Sequence, residues 1–109
     1  MSFDMNKMLR EAQRMQEGLA KAQEEAAGEL VEASAGGGMV TVKANGAGVV
    51  MAITIDPRAI DPDDPELLAD MILAAVNEAL RSARGLMESK MSALIPGDLG
   101  GLGGLLPDG

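Results

Sequence analysis

The chain is 109 residues long and contains no Cys, His, Trp or Tyr, with Phe3 as its one aromatic residue. These absences exclude a disulfide scaffold, thiol chemistry, the usual structural zinc sites and any nucleophilic scheme built on a histidine base. Nine Lys and Arg against seventeen Asp and Glu give a formal net charge of −8, which as a bulk quantity opposes nucleic-acid binding, because affinity for phosphates rests largely on cations.

A chain of this length makes one domain. With almost no aromatic side chains, the core must come from Leu, Ile, Val, Met and Ala, which is thin for a monomer and favours pairing with a second copy. The N-terminus, Met1-Ser2-Phe3-Asp4-Met5-Asn6, lacks the basic and apolar regions of a signal peptide. No apolar run reaches the ~20 residues of a spanning helix. A cytoplasmic protein without a membrane partner is therefore expected.

Residues 3 to 27 read as the first helix. Met5, Met8, Ala12, Met15, Leu19, Ala22 and Ala26 recur at alternating spacings of three and four, which aligns a narrow apolar seam. Such a seam is a packing surface before it is a ligand groove. Gly28 is the expected stop. Lys7, Arg10, Arg14 and Lys21 share a broad face away from the seam. Arg10 and Arg14 form a like-charge pair four residues apart, which costs a few tenths of a kcal/mol in an isolated helix and is easier to understand with an anion above it. The competing reading is a solvated face, with Lys7–Glu11, Arg14–Glu17 and Glu17–Lys21 paired internally.

Three strands are expected next, at 29–34, 39–45 and 49–55. Gly36-Gly37-Gly38 separates the first two and lacks the Lys-Ser/Thr ending of a phosphate-binding loop. Asn45-Gly46-Ala47-Gly48 separates the second and third and is a hairpin signal, because Asn and Gly tolerate positive φ. In the third strand Val49, Met51, Ile53 and Ile55 would face one way, and Val50, Ala52 and Thr54 the other. Both faces are apolar, as suits a central or doubly covered strand.

A second long helix should run from Pro65 to about Ala93, with Asp64 as N-cap, Pro65 at the first position and Glu66 and Asp70 near the positive end of the dipole. Leu68, Ile72, Val76, Ala79, Leu80, Ala83, Met87, Met91 and Leu94 follow helical spacing. Its length exceeds that of a three-stranded sheet, a second argument for a dimer. Arg81, Arg84 and Lys90 form a second basic group, for which stabilisation of the negative helix end is also a sufficient explanation. The acidic cluster Asp61, Asp63, Asp64 and Glu66 lacks the Gly and terminal Glu of a calcium loop, and capping accounts for it. Asn77 either bonds across an interface or satisfies a local carbonyl. Pro96-Gly97 closes the folded part, and residues 98–109, rich in Gly and Leu, read as a flexible tail.

The segment Ile55-Asp56-Pro57, its acidic helix start and the run Ala74-Ala75-Val76-Asn77-Glu78-Ala79 resemble the YbaB/EbfC family of bacterial nucleoid-associated proteins. Met15-Gln16-Glu17 and Gln23-Glu24-Glu25 look like that family's first helix. The resemblance covers about residues 3 to 97 and implies an α+β dimer: long N-terminal helix, three-stranded antiparallel meander, long C-terminal helix, with paired sheets as a platform and helices projecting like tweezers. It further implies duplex DNA as partner, bound with little sequence preference, a role in nucleoid organisation and gene expression, and no cofactor, metal or small-molecule substrate. Residues 1–97 would then be the DNA-binding and dimerisation domain. Under this reading Lys7, Arg10, Arg14, Lys21, Arg81, Arg84 and Lys90 are the candidate DNA contacts. The rival reading is an acidic dimeric adaptor that acts through protein contacts. No residue set supports catalysis.

Overall fold

The computed structural model describes residues 4–95, so Phe3, Pro96-Gly97 and the expected tail at 98–109 lie outside the described residues. The elements come in the order α1 (Met5–Ala27), β1 (Leu30–Ala35), β2 (Val40–Asn45), β3 (Val50–Ile55), a 3-10 turn η1 (Pro57–Ala59) and α2 (Pro65–Ser92). Each boundary has a local cause. Asp4 caps α1 by accepting the Lys7 N–H at 3.1 Å, and Asp64 caps α2 by accepting that of Leu67 at 3.2 Å. Gly28 ends α1, but with φ −86° it stops the helix in right-handed geometry, its N–H donating to the Glu24 and Glu25 carbonyls.

The strands form one antiparallel meander in the order β1-β2-β3. Gly36, Gly37 and Gly38 turn β1 into β2 at φ between 64° and 90°, a region closed to most side chains. At the next turn the Asn45 side-chain oxygen accepts from Ala47 N–H at 3.0 Å and Val49 N–H at 3.1 Å, and Gly48 takes φ 84°. The strand expectations hold to within one residue at each end.

The expectation for β3 is corrected in two ways. It is an edge strand, and β2 is the central one. Its faces do not alternate simply, because the register slips between Lys43 and Ala44: Lys43 pairs with Ala52 and Ala44 with Val50, leaving Met51 as an extra, bulged residue. Val50 therefore joins Ile53 and Ile55 on the face shared with Ala44, Val42 and Val40, and Met51 stays 57% exposed.

One face of the sheet carries α2, which lies across β1 and β2 and barely reaches β3. The contact is made by small residues. Ala75, Ala79 and Ala83, four apart on one helix face, are fully buried against Val40, Val42 and Ala44. Val31, Ala35, Val50, Leu68, Met71, Ile72, Val76 and Leu80 pack around them, half-buried. Among the described residues, Val40 and Val42 are the largest side chains that are completely enclosed. Alanine at the contact lets the helix sit close to the sheet, but leaves little apolar volume in the core.

α1 is attached differently. Only Ala22 and Ala26 of its seam are buried, and residues 4–17 are exposed throughout. Ala26 backs onto the β2–β3 turn, where the Gly46 N–H donates to its carbonyl at 2.8 Å. A Cβ at Gly46 would lie 2.5 Å from that oxygen, so the socket requires glycine. From this base the first half of α1 extends as an arm.

Candidate nucleic-acid interface

The arm presents two stripes. Met5, Met8, Met15 and Leu19 of the seam, with Leu9 beside it, are between 39% and 63% exposed. Lys7, Arg10, Arg14 and Lys21 lie exposed on the cationic side, where Lys7, Arg10, Glu11 and Arg14 line one shallow depression. The helix places them there by spacing alone, since Lys7, Arg14 and Lys21 are seven residues apart and Arg10 falls between the first two.

Ion pairing divides the cations into two groups. Lys7, Arg10, Arg14 and Lys21 have no carboxylate partner within 4 Å among the described residues, and neither do Lys43 and Arg84. The internal pairs Lys7–Glu11, Arg14–Glu17 and Glu17–Lys21, foreseen for a solvated face, are not formed. The other cations are engaged. Arg58 reaches Asp56 at 2.7 Å, Arg81 binds Glu78 three residues before it, and Lys90 Nζ lies 2.7 Å from Glu29 and 3.9 Å from Glu25. The second basic group is thus split: Arg84 is open to solvent, Arg81 shares its charge with a neighbour, and Lys90 turns towards the base of α1.

One stretch is strongly acidic. Between residues 56 and 70 stand Asp56, Asp61, Asp63, Asp64, Glu66 and Asp70, with Arg58 the one cation of that stretch. Three of them hold backbone: Asp56 accepts the Arg58 N–H at 2.9 Å, Asp61 that of Asp63 at 2.9 Å, and Asp64 caps α2. The Arg58 side chain, then its backbone N–H, hold the Asp56 carboxyl below the usual carboxylate range. Among the described residues no group of three or more acids is arranged to hold a metal ion. α1 itself is balanced, with Lys7, Arg10, Arg14 and Lys21 against Glu11, Glu17, Glu24 and Glu25, so its positive charge is local, carried by cations that are unpaired among the described residues, while the entry to α2 is acidic.

Arg58 and the two partners of Lys90 do not stand out in the sequence as members of a site. The Asp56–Arg58 pair is nonetheless legible in Asp-Pro-Arg, a turn whose carboxylate is two residues from a guanidinium. The link from Lys90 to Glu29 spans 61 residues and leaves no local signal.

Comparison with known proteins gives a consistent result. A sequence model of the YbaB/EbfC DNA-binding family matches residues 1–99. A nucleoid-associated protein of Acetivibrio thermocellus is 50% identical over 102 residues, which cover 94% of this chain and 89% of that protein. A nucleoid-associated protein of Chloroflexus aurantiacus is 46% identical over 103 residues, 94% of this chain and 99% of its own. Among solved structures, an uncharacterized protein of Helicobacter pylori superposes with a TM-score of 0.71 at 20% identity, covering 81% of this chain and 92% of the other, a likeness of fold alone.

Proposed function

The chain belongs to the YbaB/EbfC DNA-binding family, and from that premise we propose that it is a nucleoid-associated protein that binds duplex DNA as a homodimer through the cations of α1, with little regard to sequence. The family is one of DNA-binding proteins, not of enzymes in general. No helix among the described residues is long and apolar enough to cross a membrane.

The observation that carries the DNA reading is the set of cations on an exposed helix, Lys7, Arg10, Arg14 and Lys21, each without a carboxylate partner among the described residues. Where such cations contact phosphates and not base edges, binding is driven by counterion release and carries little sequence information. Arg84 is a secondary candidate, with Arg81 after it because Glu78 offsets its charge.

The dimer reading rests on what one chain leaves open. Val49, Met51, Ile53 and Leu73 are between 46% and 60% exposed, along the β3 edge and on α2, while among the described residues no buried core residue is larger than valine. An open edge strand with apolar neighbours is a surface that a second copy covers. α2, at 28 residues and ~1.5 Å each, is also about twice as long as the six-residue strands it crosses. Two-fold symmetry then doubles the arms. Residues 1–97 act as the binding and dimerisation unit in this scheme, and 98–109 as a dispensable tail.

A fluorescence titration of mixed-sequence duplex at several salt concentrations tests the reading. Lys7, Arg10 and Arg14 from two chains offer six phosphate contacts, and with half engaged the slope of log K against log salt is roughly −3. Absence of binding even at low salt would favour the acidic adaptor instead.

A further inference from the structure

Lys90 lies at the junction between arm and body, where its surroundings do not suit a phosphate contact. Its side chain is 25% exposed, against 79% for Arg58 and 67% for Arg81. One ammonium there faces two carboxylates, Glu25 in the last turn of α1 and Glu29 just beyond it, so the cluster is net negative and repels a DNA backbone. Among the described residues, Lys90–Glu29 is also the one side-chain hydrogen bond that ties α2 to the end of α1. Beside it Leu94 packs on Gly18, where a Cβ would meet the Leu94 Cδ2 at 3.4 Å, and Ala26 sits in the Gly46 socket.

On the premise that the arm binds DNA, we propose that Lys90 is a positioning residue: it fixes the direction of the α1 arm through Glu29 and Glu25 and does not touch phosphate. The lever is long. From Gly18 to Met5 the helix runs ~20 Å, so a 10° swing at the base moves the tip by about 3 Å, comparable to the length of a hydrogen bond. The cations of two arms meet a regular phosphate ladder together only if both arms keep their angle.

The test compares Lys90→Gln, Glu29→Gln and the exchange Lys90→Glu/Glu29→Lys in the full-length protein. A positioning role makes both single variants bind mixed-sequence duplex more weakly, by roughly two- to fivefold, the size of one partly exposed ion pair. The exchange restores affinity, and the salt slope stays near the parent value. A phosphate contact gives the opposite sign at Glu29: removing that carboxylate frees the ammonium and tightens binding, while Lys90→Gln lowers the slope by about 0.9 for each phosphate left without its cation. Tightening by Glu29→Gln, or failure of the exchange to rescue, overturns the proposal.

A second readout needs no DNA. The chain has no cysteine, so spin labels at Gln13→Cys on the arm and Glu32→Cys on the sheet can be placed cleanly, with labelled chains diluted into unlabelled ones. The distance distribution should broaden in Lys90→Gln and narrow again in the exchange variant. An unchanged distribution in Lys90→Gln overturns the positioning role even if DNA binding holds. Broadening in a protein that binds no DNA would sustain the strut and reject the functional reading.

Discussion

The arm and the body of this protein are built on opposite rules. In the body, Ala75, Ala79 and Ala83 press a helix onto Val40, Val42 and Ala44, and all six are fully buried. In the arm, Met5 through Glu17 are exposed, large apolar side chains included, and the cations have no carboxylate partners among the described residues. The body uses small residues for close approach and stays short of enclosed volume. The arm places large and charged residues on surface that the described residues do not cover. Under the proposed function, folding and recognition are separated along the sequence, and substitutions of one chemical kind should have different consequences on the two sides.

The largest contrast is expected between Ile53→Asp and Met8→Asp, which alter side chains of similar exposure, 46% and 53%. A charge at the β3 edge should abolish the dimer in sedimentation velocity at micromolar concentration, while the arm variant still sediments as a dimer. If the two behave alike, the second copy does not sit on β3. Next in size is overpacking. Ala79→Leu forces extra volume between helix and sheet and should cost about 1–3 kcal/mol, or ~4–8 °C of melting temperature per kcal/mol for a domain of this size. Ala12→Leu on the arm should leave the melting temperature where it is.

The two helix caps sharpen the comparison further, because their geometry is so similar. Asp64 accepts from Leu67 at 3.2 Å and Asp4 from Lys7 at 3.1 Å. Asp64→Ala should destabilise the fold by ~1 kcal/mol. Asp4→Ala frays the arm only, so it should lower DNA affinity without moving the thermal transition of the body. Equal thermal shifts would mean that arm and body melt as one unit.

The smallest effect belongs to Asp56, whose carboxyl is held low chiefly by the Arg58 side chain. A depressed carboxylate contributes stability that is present above its unfolded pKa and is lost as pH falls through the folded one. Thermal melts of the parent and Asp56→Asn should therefore differ slightly at neutral pH and converge as pH drops below roughly 4. A difference that grows on acidification would assign the wrong sign to this group.

The parts of the fold that are readable in the sequence are those with local causes. Asp64-Pro65 starts a helix by capping, Gly36-Gly37-Gly38 and Asn45-Gly46 turn the chain through positive φ or close approach, and α1 announces itself by its three-four spacing. The parts that are not readable depend on partners distant in sequence. Alternation along β3 fails at Met51, because the bulge is a property of the β2–β3 pairing and not of β3 alone. An apolar strand reads as a central one, although the second apolar side of β3 belongs to surface that one chain leaves open. Ala75 does not stand out as a core residue, because alanine marks close helix–sheet approach as readily as it marks a solvent face. The candidate site divides on the same line. The stripe Lys7, Arg10, Arg14 and Lys21 follows from helical spacing, whereas the engagement of Lys90 by Glu29 depends on how α1 docks.

The central claim is that the arm's unpaired cations hold duplex DNA by charge. The most direct test is the salt dependence of binding for the parent and for Arg10→Glu/Arg14→Glu, measured on two unrelated duplexes. Binding by charge predicts a parent slope of log K against log salt of roughly −3 on both duplexes, and a double variant that binds both more weakly with a flatter slope while remaining a folded dimer. A double variant that binds as tightly and with the same slope as the parent would contradict it, and would return this face of α1 to solvent.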